Sequence, residues 1–505
     1  MTGAGAPPPL QGQPGLPPSN IEFNTEEYDR IVDNPFKKVL DSPVSTFSID
    51  VDTASYSNLR RFLMEEQTLP PKDAVRIEEL VNYFQYEYPE VKMTGADSPP
   101  VANYFALSKA PWNPDHYLLR VAVKARTLEI GSLPPTNLVL LLDTSGSMSD
   151  ENKLPLLKRS LKILVEKLRP QDRVSIVAYA GSTGLILDAT PGDKKEKIID
   201  AFDRLEASGS TAGGAGIVLA YEVAKKNFVS GGNNRVVLCT DGDFNVGVSS
   251  TSELERMIEE KRKDNIYLTV IGLGMGNYKD SRMETLADKG NGNYAYIDNL
   301  LEGKKVMGKE LWGNIYAVAK DVKIQIEFNP GAVREYRLIG YENRLLARED
   351  FNDDTKDAGE MGSGQSVTAF YEIVPPSAPP TGGAPAPDPL QFQQTQVLPS
   401  EDLLAFRLRY KLPGDGKEAS RLMSTMLKAN EIMKPLDASD DDFRFASAVV
   451  EFGMLLRDSP YRGDSSWKQA LARAKGSRGK DDEGYRAEFL KMIEMAELLS
   501  AENSR

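Results

Sequence analysis

From residue 136 onward the chain settles into a strict rhythm. Short β-rich runs (NLVLLLD, RVSIVAYA, LILDAT, NRVVLCT, IYLTVIGLG and NYAYID) alternate with amphipathic stretches. Among the latter are KLPLLKRSLKILVEKL, KKEKIIDAFDRL, AGIVLAYEVAKKNF, ELERMIEEKRKD and SRMETLADKG. Apolar runs of this kind fit strands buried on both faces, and the helices between them supply the cover. Strand and helix by turns, with short connections, predicts an α/β fold with a doubly wound, mainly parallel sheet over residues 134–320. LEGKKVMGKELWGNIYAVA is expected to add a last helix ending near Lys320.

The flanks read differently. Residues 1–22 form a Pro/Gly-rich lead expected to be disordered, and residues 23–133 a mixed α+β region. There STFSIDVDTASYSNLRRFLMEE predicts a strand and then a helix from about Ser55, while NYFALSKAPW and YLLRVAVKAR alternate like paired strands. Over 321–436, KDVKIQIEFN, AVREYRLIG, SVTAFYEIV and LLAFRLRY read as antiparallel strands interrupted by a Pro-rich loop at 375–398. EASRLMSTMLKANEI fits helix or strand equally. Residues 437–505 hold three helices with acidic or Ser starts. Strands from both flanks are expected to share one β-sandwich, with the helical segment behind it.

At 505 residues the chain exceeds one compact core, so several domains are expected. A net charge of −13 without a dense Lys/Arg cluster argues against nucleic acid as a partner. A single cysteine, Cys239, excludes an internal disulfide framework and CxxC metal sites. A single histidine, His116, excludes His-rich zinc sites and leaves a Ser–His–Asp triad without a well-placed base. No run reaches the ~20 apolar residues of a membrane span. No signal peptide is visible at the start. A trimmed export signal and a native disordered start both read this way.

Chemistry concentrates where strands end. In an open α/β sheet, ligand sites form in the loops beyond the carboxyl ends of strands. LVLLLDTSGSMSD puts Asp143, Ser145 and Ser147 there, one carboxylate and two hydroxyls, a hard oxygen set suited to Mg²⁺ or Mn²⁺ and not to zinc. An Asp/Ser cap on the helix beginning near Lys153 fits the same residues, and D-x-S-x-S alone leaves both readings open. Two other strand-to-helix corners add to it. RLEASGSTAGGAGIVLAY places Thr211 in a Gly-rich loop, and VVLCTDGDFNVG ends a strand in Thr240 and Asp241.

These three motifs, in this order, resemble the metal-ion-dependent adhesion site of von Willebrand factor A (VWA) domains. The wider sequence is similar to bacterial VWA proteins of the YfbK-like type, in STFSIDVDTASYSNLRRFL, GSTAGGAGI, TDGDFNVGV, ADKGNGNYAYID and DFRFASAVVEFGMLLRDSPYRGD. The resemblance implies a Rossmann-like VWA fold in which Asp143, Ser145 and Ser147 hold Mg²⁺ (or Mn²⁺ or Ca²⁺). Thr211 and Asp241 would each bind directly or through water. Thr240 and Asn245 are expected beside the ligands, and Asp243 as a solvated turn acid. Similar bacterial proteins are generally exported or surface-anchored, often as lipoproteins, which implies an extracytoplasmic location.

A cation held by one or two carboxylates keeps an electrophilic open position. A partner's Asp or Glu completes it, and no nucleophile or proton shuttle accompanies it. The expectation is therefore a non-enzymatic, Mg²⁺-dependent protein-binding module. The alternatives are a scaffold whose metal only stiffens loops, or a Mg²⁺-assisted phosphoester hydrolase using Asp143 or Asp50. Other signals read as structural. Asp50 and Asp52 are expected as a strand end and helix cap, and His116 as a surface or turn residue. Gly272, Gly274 and Gly276 mark a tight corner. Asp464 or Ser465 of the RGD tripeptide is expected to cap a helix, and the acidic run 437–443 to start one.

Overall fold

The computed structural model describes residues 26–95, 97–129, 131, 133–180, 183–210, 213–242, 251–275, 279–356, 358–381, 396–414 and 419–503. The N-terminal part contributes β1 (Lys37–Lys38), β2 (Val44–Ser48), α1 (Ala54–Arg60), α2 (Ile77–Asn82), β3 (Val101–Ala110) and β4 (Asn113–Ala125).

The alternating centre then runs β5 (Thr136–Asp143), α3 (Leu154–Lys167), β6 (Arg173–Tyr179), β7 (Thr183–Pro191), α4 (Lys195–Asp203), α5 (Gly213–Lys226) and β8 (Asn233–Thr240). It continues with α6 (Thr251–Lys263), β9 (Ile266–Leu273), α7 (Asp280–Lys289), β10 (Tyr294–Ile297), α8 (Leu300–Lys305) and α9 (Leu311–Ile315). These strands form one sheet in the order β10-β9-β8-β5-β6-β7, parallel except for β7. Every residue of β5 is buried, because the strand lies mid-sheet with helices on both faces. After β5 the chain goes first to β6 on one side and later to β8 on the other. The loops leaving β5 and β8 therefore diverge at a topological switch point, the place where open α/β sheets bind ligands.

The last helix stops at Ile315, short of Lys320, and Ala317–Phe328 is a strand, β11. The stretch AVAK belongs to that strand because Ala317 and Ala319 pair with β13 (Met361–Gly362). In chain order the strands there are β11, β12 (Glu335–Ile339), β13, β14 (Ser366–Val374), β15 (Leu404–Lys411) and β16 (Arg421–Leu427), followed by α10 (Ala429–Ile432). The ambiguous segment is thus a strand and then a short helix.

Both flanks build one sandwich, as expected. One sheet runs β1-β12-β14-β4-β3; the other runs β13-β11-β15-β16, with β2 on β11. Val121 and Val123 of β4 share a core with Ile324 and Ile326 of β11 and Phe406 of β15. The last helices, α11 (Asp441–Arg457), α12 (Trp467–Gly476) and α13 (Tyr485–Asn503), pack on the N-terminal helices. Phe84, just after α2, makes edge contacts with Phe445 and Phe489 at 4.9 and 5.5 Å.

Asp440 begins α11 as expected, its carboxylate accepting from the Phe443 amide at 2.6 Å. The α12 cap is Ser466, not Asp464 or Ser465: its hydroxyl accepts from the Gln469 amide. Among the described residues no helix is long and apolar enough to cross a membrane.

Candidate metal centre

β5 delivers Asp143 to its carboxyl end fully buried, and each carboxylate oxygen is occupied. Oδ1 accepts from the Ser145 amide at 2.9 Å. Oδ2 accepts from the Tyr179 hydroxyl at 3.0 Å and the Thr240 hydroxyl at 3.1 Å. The group is thus oriented by the ends of β5, β6 and β8 together. Burial raises its pKa, against the hydrogen bonds from Ser145, with the charge of Asp241 adding to the rise.

Beyond Asp143 the chain makes an extended residue, Ser145, and a 3₁₀ turn at Gly146–Ser149. The Ser145 and Ser147 hydroxyl oxygens lie 3.0 Å apart, Ser145 buried and Ser147 exposed. The helix-cap reading of these residues does not hold. α3 begins after Lys153, and no side chain caps it. The same turn is fastened to its neighbours: the Gly146 amide donates to the Gly209 carbonyl at 3.0 Å, and the Ser208 amide to Thr144 at 2.8 Å. Thr211, Asp243 and Asn245 lie outside the described residues.

Asp241 is buried at the end of β8. Its Oδ2 lies 3.1 Å from Nζ of Lys153, which also donates to the Ser147 carbonyl at 2.9 Å. Thr240 orients Asp143 and accepts from the Gly242 amide at 3.2 Å. The Lys153 stem needs glycine opposite it. Gly274 has φ +76°, and a Cβ there would stand 2.4 Å from Lys153 Cε.

Sequence reasoning missed Tyr179 and Lys153. Tyr179 carried a signal, a polar aromatic at the carboxyl end of a buried strand. So did Lys153, a cation just ahead of a helix N-terminus, where the dipole disfavours it.

The donors suit a small hard cation. Octahedral Mg²⁺ with bonds of ~2.1 Å has ligand–ligand edges of about 3.0 Å, and the two serine hydroxyls are 3.0 Å apart. No group of three or more His, Cys, Asp or Glu side chains among the described residues is arranged to hold a metal ion. A cation here would rest on hydroxyls as much as on carboxylates.

Two other expectations fail. Asp50 and Asp52 do not cap α1; both are buried on Arg344, at 3.2 and 3.5 Å, and Asp52 accepts from the Tyr294 amide. His116 is buried within β4, its Nδ1 2.6 Å from Glu372, which also holds Arg337 at 2.9 Å.

Three family models match the chain: "von Willebrand factor" over residues 22–120, "von Willebrand factor type A domain" over 137–306, and "Uncharacterized protein YfbK, C-terminal" over 313–499. The uncharacterized protein YfbK of Escherichia coli (strain K12) is 44% identical over 480 residues, 94% of this chain and 81% of that one. The chain belongs to the YfbK-like family of VWA-domain proteins.

A second relative, the uncharacterized protein sll0103 of Synechocystis sp., is 31% identical over 186 residues, 36% of this chain and 42% of that protein. Among solved structures, the von Willebrand factor type A protein from Catenulispora acidiphila superposes with a TM-score of 0.43 at 15% identity. That match covers 77% of this chain and 89% of that chain. VWA domains form a family of protein-interaction and adhesion modules, and the carboxyl end of the buried β5 is the part of the YfbK-like fold that presents the candidate centre.

Proposed function

We propose that this chain is a Mg²⁺-dependent protein-binding module without catalytic activity of its own, acting outside the cytoplasm. Asp143, Ser145, Ser147, Thr211 and Asp241 are its cation-holding residues, with Thr240 and Asn245 beside them, and a partner's Asp or Glu supplies the final ligand. The observation that carries this reading is the pair of serine hydroxyls 3.0 Å apart beside a carboxylate held by three donors.

A bound Mg²⁺ would supply a Lewis-acidic position for an incoming carboxylate. The protein's own part is orientation. Tyr179 and Thr240 fix Asp143, the 3₁₀ turn aims the hydroxyls, and the exposure of Ser147 leaves that side open to a large partner. Asp143 is held by three donors, and the Lys153 amine is tied to Asp241 and the Ser147 carbonyl, which weighs against the hydrolase reading.

The Lys153–Asp241 ion pair favours a second reading, in which the site ties loops together and partners bind elsewhere. Capture from native extract separates the two, using wild-type and Asp143→Ala protein with Mg²⁺ or EDTA. A partner retained only by the wild type with Mg²⁺ supports the first. The same catch in every lane would leave the cation a structural role.

A further inference from the structure

At the opposite pole of the central sheet, a cavity of about 690 Å³ opens between the base of the VWA unit and the sandwich. Its charged lining is unbalanced. Arg126, Arg235 and Lys320 face it, and Glu360 is its only carboxylate among the described residues.

Arg235 is the unusual member. It lies on β8, 1% exposed, with Nη1 donating to the Thr269 hydroxyl at 2.7 Å and its guanidinium 5.6 Å from the Tyr267 ring centre. Its Nε has no hydrogen-bond partner, and no described carboxylate forms an ion pair with it. Burial holds its pKa below the usual guanidinium range, which Glu360 and Tyr267 offset only in part. Arg126 also has a buried, unpartnered Nε. Lys320 reaches the same space, donating to the Tyr267 hydroxyl at 2.7 Å with Glu360 at 3.6 Å.

A buried cation with no ion-pair partner among the described carboxylates costs a fold stability, and a bound anion would offset that cost. The cavity has the size of small-molecule sites, and Phe228, Tyr316 and Leu412 give it an apolar wall. We propose that it binds a small organic anion, a carboxylate or phosphate on a partly apolar body, whose charged end is received by Arg235 and Lys320. The guanidinium fork suits either oxyanion, and the aromatic wall takes the remainder. This site is separate from the metal centre and does not depend on its function.

Calorimetric titration of the full chain with benzoate and with phenyl phosphate tests it, benzyl alcohol serving as the neutral control. Saturable one-to-one binding of at least one anion is expected, and the stronger probe distinguishes carboxylate from phosphate. Arg235→Met should weaken it by at least about tenfold, and Lys320→Gln several-fold. Asp143→Ala should bind as the wild type does. Because Arg235→Met removes an unmatched charge, the melting temperature without ligand should hold or rise. Lys320→Gln, elsewhere on the cavity wall, tests binding independently of that substitution. The proposal is overturned if neither anion saturates the wild type, if benzyl alcohol binds equally well, or if both variants bind the anions unchanged.

Discussion

Nζ of Lys153 lies 3.1 Å from Oδ2 of Asp241, so a positive charge stands at the wall of the candidate cation site. A unit charge ~4 Å away at an effective dielectric of about 20 is worth up to about 4 kcal/mol. Much of that is relieved when a flexible lysine moves aside. Lys153→Met is therefore expected to bind Mg²⁺ about tenfold more tightly, measured by calorimetric titration. Weaker binding would mean that its hold on the Ser147 carbonyl outweighs its charge.

Asp143 and Ser147 separate metal binding from loop stability. Asp143→Ala strands the buried Tyr179 and Thr240 hydroxyls and should cost about 1–3 kcal/mol even in EDTA. Ser147→Ala removes an exposed hydroxyl and should cost roughly 0.5 kcal/mol or less. Adding MgCl₂ should raise the wild-type melting temperature and leave Asp143→Ala unmoved. Ser147→Ala should respond only at higher Mg²⁺. A wild type indifferent to MgCl₂ would remove the cation from the account.

The strand-end corner of Asp143, Ser145 and Ser147 was legible in the sequence, while Thr211 and Asn245 lie outside the described residues. The parallel sheet followed from apolar runs buried on both faces, and D-x-S-x-S from its place at a strand end. Tyr179 and Lys153 were not, because their contacts cross 36 and 88 residues to Asp143 and Asp241. Asp50, Asp52 and His116 were misread for a related reason. A polar residue beside a turn is taken as exposed until its partner is known, and Arg344 and Glu372 stand more than 250 residues away in sequence. Alternation also fails at AVAK, where a strand continues a helix's apolar pattern without a turn signal.

The contact between the N-terminal helices and the central unit predicts an unusual pH dependence. Glu284 packs against Arg76 with Asp280 and Asp288 nearby, and burial pushes its pKa from 4.5 to about 8. Glu78, near Glu342 and Arg457, is pushed from 4.5 to about 7 by the same cause. Both carboxyls keep protons in the folded chain where the unfolded chain has lost them. Their contribution is complete below about pH 4.5 and is lost as pH rises through 7 and 8. Glu302, beside Lys305 and Arg60, and Glu372, beside His116 and Arg337, are depressed despite burial. Their contribution is lost below about pH 4.5, so the unfolding midpoint in urea should peak between about pH 4.5 and 6. Glu284→Gln should flatten the fall toward pH 8, and an unchanged slope would assign the effect elsewhere.

Arg60 joins three parts of the chain: its guanidinium reaches Asp298 and Glu302 of the VWA unit at 2.5 and 2.8 Å, and Glu488 of α13 at 2.7 Å. Arg60→Met leaves Asp298 buried without that cation and should destabilise by about 3–5 kcal/mol, read from denaturant unfolding. Loss of the shared cation should also let α13 unfold ahead of the central sheet, seen as early amide exchange at Glu488–Ser500. A small, uniform loss would mean that Lys305, 3.8 Å from Glu302, takes over.

Gly216 on α5 controls Tyr179 from behind. A Cβ at Gly216 would lie 2.9 Å from Tyr179 Cβ and 3.0 Å from Cγ, closer than packed carbons tolerate. Gly216→Ala must therefore displace a ring whose hydroxyl is one of three donors on Asp143. Overpacking of this kind costs about 1–3 kcal/mol, partly offset by alanine's better helix propensity. The stability change alone does not identify the path to the metal site. Tyr179→Phe supplies the comparison, since it removes the hydroxyl and keeps the ring in place. If Gly216 acts through Tyr179, both variants weaken Mg²⁺ binding, and the double variant is no weaker than the lower of the two singles. Additive losses in that cycle would show that α5 reaches the site by a route other than the tyrosine.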